Sequence, residues 1–321
     1  MTNDCSMSST FAAAKHWLGV WSAAALAQAN PRWQRNEFGI LMYHRVVNDV
    51  PGFTPPTWNV SPAQFRRQLT GLLRAGFRAW PLRKVLDYRA NQKTIPDSVF
   101  VVTFDDAYEC VYTRAFPVLR DLQIPATVFL STAFIDSPEP FPSDDWSAKG
   151  QAGVPAEGWR PISREQCREL HASGLIDLGA HTHTHQDFRG RSSELRDDVR
   201  QNLAALREMF GIHHAPFAFP YGTKATGFSG GALAAAVRET SVLCALTTEA
   251  EMAQLTGDLF DWGRFNVEPT DTSATLAGKL TGWFSHIRQQ MRSLETSVKQ
   301  SVQAVVSQVP SFTFRKPARS I

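Results

Sequence analysis

Cysteine is scarce in this chain: there are four in 321 residues (Cys5, Cys110, Cys167 and Cys244), with no CxxC or other paired spacing. That excludes a disulfide framework and a zinc knuckle. Cys110 and Cys167 fall in predicted helices and Cys244 in a predicted strand, so they read as buried thiols. An excess of charge of one sign is also missing. Its 33 Lys and Arg against 30 Asp and Glu give a formal net charge of +3, which points to neither nucleic acid nor an anionic membrane as main partner. No apolar run approaches the roughly 20 residues needed for a transmembrane span. Trp17–Ala27 is short, follows a polar stretch containing Asp4, and ends in Ala27-Gln28-Ala29. It reads as an amphipathic docking helix ahead of an export signal, so a cytoplasmic or peripheral membrane location is expected over export. Hydrophobic residues at 43% and charged residues at 20% mark a globular chain, long enough for one large domain or two ordinary ones.

From Glu37 onward, short apolar runs alternate with helical patterns. Strands are predicted at Phe38–Tyr43, Phe77–Trp80, Ser98–Phe104, Pro125–Ser131, 175–180, 216–219, 242–246 and near 259–267. Between them lie helices at Ser61–Ala75, Pro81–Arg89, after Phe104 to about Leu122, from the capping box Ser163-Arg164-Glu165-Gln166 to Gly174, at Ser192–Phe210 and near 230–239. A loop from Ser137 to Trp159 is rich in Pro, Gly, Asp and Trp; Ser273–Val306 is mostly helical, and 310–321 is a basic tail. This alternation implies an α/β fold with mostly parallel strands, as a barrel or a doubly wound sheet. YHR at 43–45, FDD at 104–106, HTHTH at 181–185 and FPYG at 219–222 all stand at C-terminal strand ends. That is where barrel enzymes assemble their sites, although open sheets bind ligands there too.

Asp105 and Asp106 end an apolar strand, and alternation sends them to opposite sides if the strand continues. One could bind a metal while the other stays within reach of an activated water; the plainer reading is a helix cap. His181, His183 and His185 form a dense imidazole cluster suited to zinc and similar ions. His181 and His185 converge if the segment turns, His181 and His183 if it stays extended. A metal with a spare carboxylate is the minimum equipment for activating water, which implies a metal-dependent hydrolase.

These residues, in this order, resemble the polysaccharide deacetylase family with the NodB homology domain. TFDDAY at 103–108 looks like its first motif, usually TFDDG. His181-Thr182-His183-Thr184-His185 matches its H-[ST]-x-x-H motif, FAFPYG at 217–222 the third, and ILMYHRV at 40–46 the lead-in strand of the exopolysaccharide and poly-N-acetylglucosamine deacetylase branch. The resemblance covers roughly residues 37–270. It implies a distorted (β/α) barrel over 37–272, preceded by a helical extension (1–36) and followed by a helix and basic tail (273–321). Carried over residue by residue, Asp106, His181 and His185 would bind a divalent metal, zinc or a similar ion such as cobalt. Asp105 would be the general base, His183 no ligand, and a backbone N–H near Tyr221 would help stabilise the oxyanion.

The departures are specific. Ala107 stands for the usual glycine, Ala218 stands where the third motif has arginine, and Arg264 in DWGRFN looks like its replacement, able to pair with Asp105. The final motif, a leucine with a histidine acting as general acid, has no match. His286 lies in a predicted helix, and His44 is only a candidate. The implied activity is removal of N-acetyl groups from N-acetylhexosamine units of a polysaccharide, with an N-acetylated glycan as partner and association with a membrane surface or envelope complex compatible. A non-sugar amide or imide hydrolase, and a glycan-binding pseudoenzyme without the general acid, are the alternatives.

Overall fold

The computed structural model describes residues 4–29, 36–142, 144, 146 and 153–308. The basic tail at 310–321, and within the loop 137–159 residues 143, 145 and 147–152, lie outside the described residues. Helix α1 (Asp4–Ala29) precedes β1 (Glu37–Tyr43), β2 (Arg45–Val46), β3 (Asn59–Val60), α2 (Pro62–Arg74), β4 (Arg78–Ala79) and α3 (Leu82–Ala90). Next come β5 (Val99–Phe104), α4 (Phe116–Leu122), β6 (Ala126–Leu130), α5 (Arg164–Ala172), β7 (Ile176–Ala180) and α6 (Ser192–Phe210). The chain continues through β8 (Phe217–Ala218), α7 (Gly231–Arg238), β9 (Ala245–Leu246), β10 (Ala253–Gln254), β11 (Phe265–Asn266), α8 (Ser273–Leu280) and α9 (Trp283–Gln308).

β1, β5, β6, β7, β8 and β9 pair in that order, all parallel, and β11 returns to pair parallel with β1. Closure between β9 and β11 is irregular. It consists of the Leu246–Trp262 bridge, with Thr247 N–H donating to the Trp262 carbonyl at 2.8 Å and Arg264 N–H to that of Glu249 at 2.8 Å. The result is a distorted barrel, and the expected strand at 259–267 shrinks to a bridge and β11 because this seam bends.

Strand alternation divides the core into two layers. Phe38, Ile40, Val99, Val101, Phe129, Leu246 and Trp262 cluster in one layer, the barrel interior. Leu41, Tyr43, Phe100, Val102 and Phe104 pack instead with Phe65, Leu69 and Leu72 of α2 and its helical neighbours. Residues of β5 are buried on both faces, as parallel strands under a helical layer must be. At Gly179 in β7, an added Cβ would lie 2.5 Å from the Phe129 ring, so glycine is what lets that ring fill the interior.

Local signals explain the helices. The Ser61 hydroxyl caps α2 by accepting from Gln64 N–H at 3.2 Å, and the Ser163–Gln166 capping box opens α5 with both reciprocal bonds. The helix expected after Phe104 starts with a π-helical turn at Val111–Ala115 before α4. Pro117 has no N–H to continue the regular ladder. α8 lays Leu280 on Gly39 of β1, and Gly278 lets α1 approach so closely that a Cβ there would be 2.6 Å from the Ala24 nitrogen. The expected helical stretch from 273 is therefore two helices, broken at Thr281-Gly282.

Candidate active site

Continuing the interior register past each strand end brings the chemistry together. His44 follows Ile40 and Met42, Asp105 follows Val101 and Thr103, and His181 follows Gly179 on the inward side. They open into a cavity of about 460 Å³ at the C-terminal mouth, also lined by Asp106, His185 and Tyr221. Arg264 is fully buried beneath it and grips Asp105 with two bonds, Nη1 to Oδ1 at 2.5 Å and Nη2 to Oδ2 at 2.8 Å. Burial pushes the Asp105 carboxyl up, but Arg264, with His181, more than offsets this and holds it below its ordinary value. Ala218 leaves the inward position of β8 without a guanidinium, and Arg264 supplies one from the closing seam.

Asp106 would point away if the strand continued, but β5 ends at Phe104. Asp106 (φ 67°) and Ala107 (φ 61°) both take left-handed backbone, and this double reversal turns the Asp106 carboxylate back into the mouth. Its Oδ1 lies 3.1 Å from His185 Nε2 and 3.4 Å from His181 Nε2. Burial raises the Asp106 carboxyl, yet His185 and the hydrogen bonds from both imidazoles hold it well below the usual carboxylate range.

The histidine segment also turns, at Thr182 (φ 65°) and His185 (φ 51°), with His185 N–H donating to Thr182 Oγ1 at 3.0 Å. Asn202, buried on α6, clamps the turn through the carbonyls of Leu130 and Thr182. His181 and His185 thereby converge, while His183 turns aside to Thr132 Oγ1, 2.9 Å from its Nδ1.

The donor set suits a divalent cation. One ligand atom from each of Asp106, His181 and His185 lies within 4.8 Å of the others. His181 Nδ1 is 2.9 Å from the Ala218 carbonyl, to which only an N–H can bond, leaving Nε2 as the free lone pair. Tyr221 Oη donates to the His185 carbonyl at 2.6 Å and lies 3.1 Å from His185 Nδ1, which fixes the same tautomer there. Two imidazoles and a carboxylate with an open side are a zinc-type set.

The polysaccharide deacetylase family profile matches residues 92–237. The chain carries a polysaccharide deacetylase domain. That makes it an enzyme domain of the class the strand-end carboxylates and imidazoles imply. The poly-β-1,6-N-acetyl-D-glucosamine N-deacetylase of Staphylococcus epidermidis is 26% identical over 220 residues, 61% of this chain and 70% of its own length. The enzyme of the same name from Escherichia coli is 27% identical over 154 residues, 48% of this chain and only 22% of its own length. Among solved structures, IcaB from Ammonifex degensii aligns at a TM-score of 0.58 and 26% identity, covering 77% of this chain and 97% of its own. A Streptococcus pyogenes deacetylase aligns at 0.62 and 18% identity over 77% and 99%, a likeness of fold.

Several side chains of the deacetylase domain's cavity carry no motif. Trp58 is one: 45% exposed, left-handed (φ 57°), and stacked on His44 with ring centroids 6.0 Å apart at 24°. A tryptophan in that backbone region is strained, and such strain gathers at functional sites; its isolation in a polar loop is the one signal the sequence offers. Arg45, Thr248 and Asn266 also line the cavity. Of the remaining histidines predicted to be idle, His286 stacks on Trp283 and, like His171, His213 and His214, lines none of the cavity. The side chain of His16 lies outside the described residues.

Proposed function

We propose that the chain is a metal-dependent N-deacetylase acting on N-acetylhexosamine units of a poly-N-acetylglucosamine-type polysaccharide. The observation that carries this is the meeting, in one cavity, of the Asp106–His181–His185 donor set with an Asp105 held ionised by Arg264. The names and identities of the staphylococcal and Ammonifex relatives support the substrate class.

A divalent cation held by Asp106, His181 and His185 would polarise the amide carbonyl and make a water more acidic. Asp105 accepts the proton of the attacking water; its ionised state at neutral pH is what Arg264 secures. The Tyr221 N–H makes no hydrogen bond among the described residues and is available to the oxyanion. His44 is the cavity imidazole left over once two serve as ligands, and its buried Nδ1 has no partner. It is the proton donor to the leaving nitrogen, releasing acetate and a free amine on the sugar. Burial lowers the His44 pKa, with the Asp106 and Asp105 charges opposing. Its presence removes the motive for the glycan-binding alternative.

The test is acetate release from β-1,6-linked N-acetylglucosamine oligomers by protein stripped with chelator and reloaded with zinc or cobalt, beside Asp105→Asn. Metal-dependent release that Asp105→Asn abolishes is expected. Stoichiometric metal without release would reject the glycan reading, and release unaffected by Asp105→Asn would reject the base.

A further inference from the structure

Large exposed apolar side chains are unevenly placed. Leu18, Trp21, Leu26, Leu294 and Val298 all sit on α1 and α9, whereas Trp58, Tyr221 and Leu243 are the others among the described residues. The two helices touch where Gly19 faces Ile287 and Met291. Leu18 and Leu294 flank that contact, so the exposed side chains extend one apolar surface along the helix pair. Beyond Met291, α9 leaves the body: every residue from Arg292 to Val298 is exposed.

Charge is uneven in the same way. Trp283–Ile321 carries six cations (Arg288, Arg292, Lys299, Arg315, Lys316, Arg319) and one acid, Glu295, while residues 1–282 carry two more acids than cations. The modest total of +3 hides this separation. Arg288 shares its charge with Glu249 and Glu251; the other five lie from Arg292 onward. The thirteen residues after Gln308 add Phe312 and Phe314 and no acid. The helix pair is also extra to the barrel's needs. Two solved neighbours align over 99–100% of their own chains but 76–77% of this one, leaving about a quarter of it without counterpart. No helix is long and apolar enough to cross a membrane.

Apolar side chains including an exposed tryptophan, joined to a basic segment on one helix, are the chemistry of an interfacial lipid contact. We propose that α1 and α9 form a docking surface that seats the domain on an anionic bilayer. Leu18, Trp21, Leu294 and Val298 enter the headgroup boundary, and the cations from Arg292 to Arg319 meet the lipid phosphates. The surface borders none of the cavity, which stays open to a polymer arriving from the aqueous side.

The experiment is sedimentation of the full chain with vesicles of phosphatidylcholine, with and without phosphatidylglycerol, across a salt series. Binding to the anionic vesicles alone, weakening as salt rises, is expected. Trp21→Ser with Leu294→Ser should lower partition about tenfold, and neutralising Arg315, Lys316 and Arg319 should lower it about fivefold per cation. The thermal midpoint serves as fold control whether or not acetate release is found; where it is found, release from soluble oligomers should be unchanged. Equal binding by parent and Trp21→Ser/Leu294→Ser, or binding to neither vesicle, overturns the proposal. So does a dimer in solution that the same two substitutions dissociate, which would make a second copy the occupant.

Discussion

Replacing Arg264 by methionine keeps most of the side-chain volume and removes the guanidinium. In the parent, both partners are almost inaccessible, with side chains 0% and 3% exposed, and the pair is closed by bonds of 2.5 and 2.8 Å. Arg264→Met leaves the Asp105 carboxylate buried and short of its main counter-charge, a change that costs about 3–5 kcal/mol. For a domain of this size that is a fall in Tm of roughly 6–20 °C. The pH dependence fixes the cause. In the parent, Asp105 titrates below its ordinary 3.8, so it contributes stability above that pH which is lost as pH falls through the folded pKa. In Arg264→Met, burial is no longer offset, the folded pKa rises above 3.8, and the carboxylate destabilises increasingly as pH climbs past that value. The stability gap between parent and variant should therefore widen from acid to neutral pH, and the acid limb of kcat/KM should move upward. Adding Asp105→Asn should restore much of the lost Tm, because a neutral amide needs no counter-ion, while leaving the protein inactive. A variant as stable as the parent with an unmoved acid limb would refute the reasoning, as would a double variant no more stable than Arg264→Met alone.

Ala107→Gly relieves a left-handed alanine (φ 61°) and should stabilise by about 1 kcal/mol, read as a higher Tm; a lower Tm would mean that the alanine methyl's packing outweighs the strain. His181 titrates above its ordinary value, since burial lowers it but Asp105 and Asp106 outweigh that. Zinc affinity, measured against a competing chromophoric chelator, should thus fall as pH drops from about 8 towards 6.5, and a pH-independent affinity would contradict this. Trp58→Ala should raise KM for the oligomers about fivefold, the worth of one stacked ring, and should reduce kcat if its stacking also orients His44; unchanged kinetics would remove Trp58 from the site.

Much of this protein is written locally. Period-2 alternation and complete burial mark β5 and β7, the Ser61 and Ser163 caps mark their helices, and Asp105, Asp106, His181 and His185 stand at strand ends, where the inward register can be counted residue by residue. Tertiary structure decided the rest. The left-handed Asp106-Ala107 step, on residues with no intrinsic preference for it, brings the second carboxylate into the mouth. The turn clamped by Asn202 selects His185 over His183, two spacings that an isolated segment leaves equal. Arg264 meets Asp105 across 159 residues of chain, and Trp58 meets His44 through a loop without periodicity. Propensity, periodicity and capping act within a few residues and so survive in the sequence. Barrel closure and the pairing of buried charges depend on which distant segments share one low-dielectric space, which only the folded chain fixes.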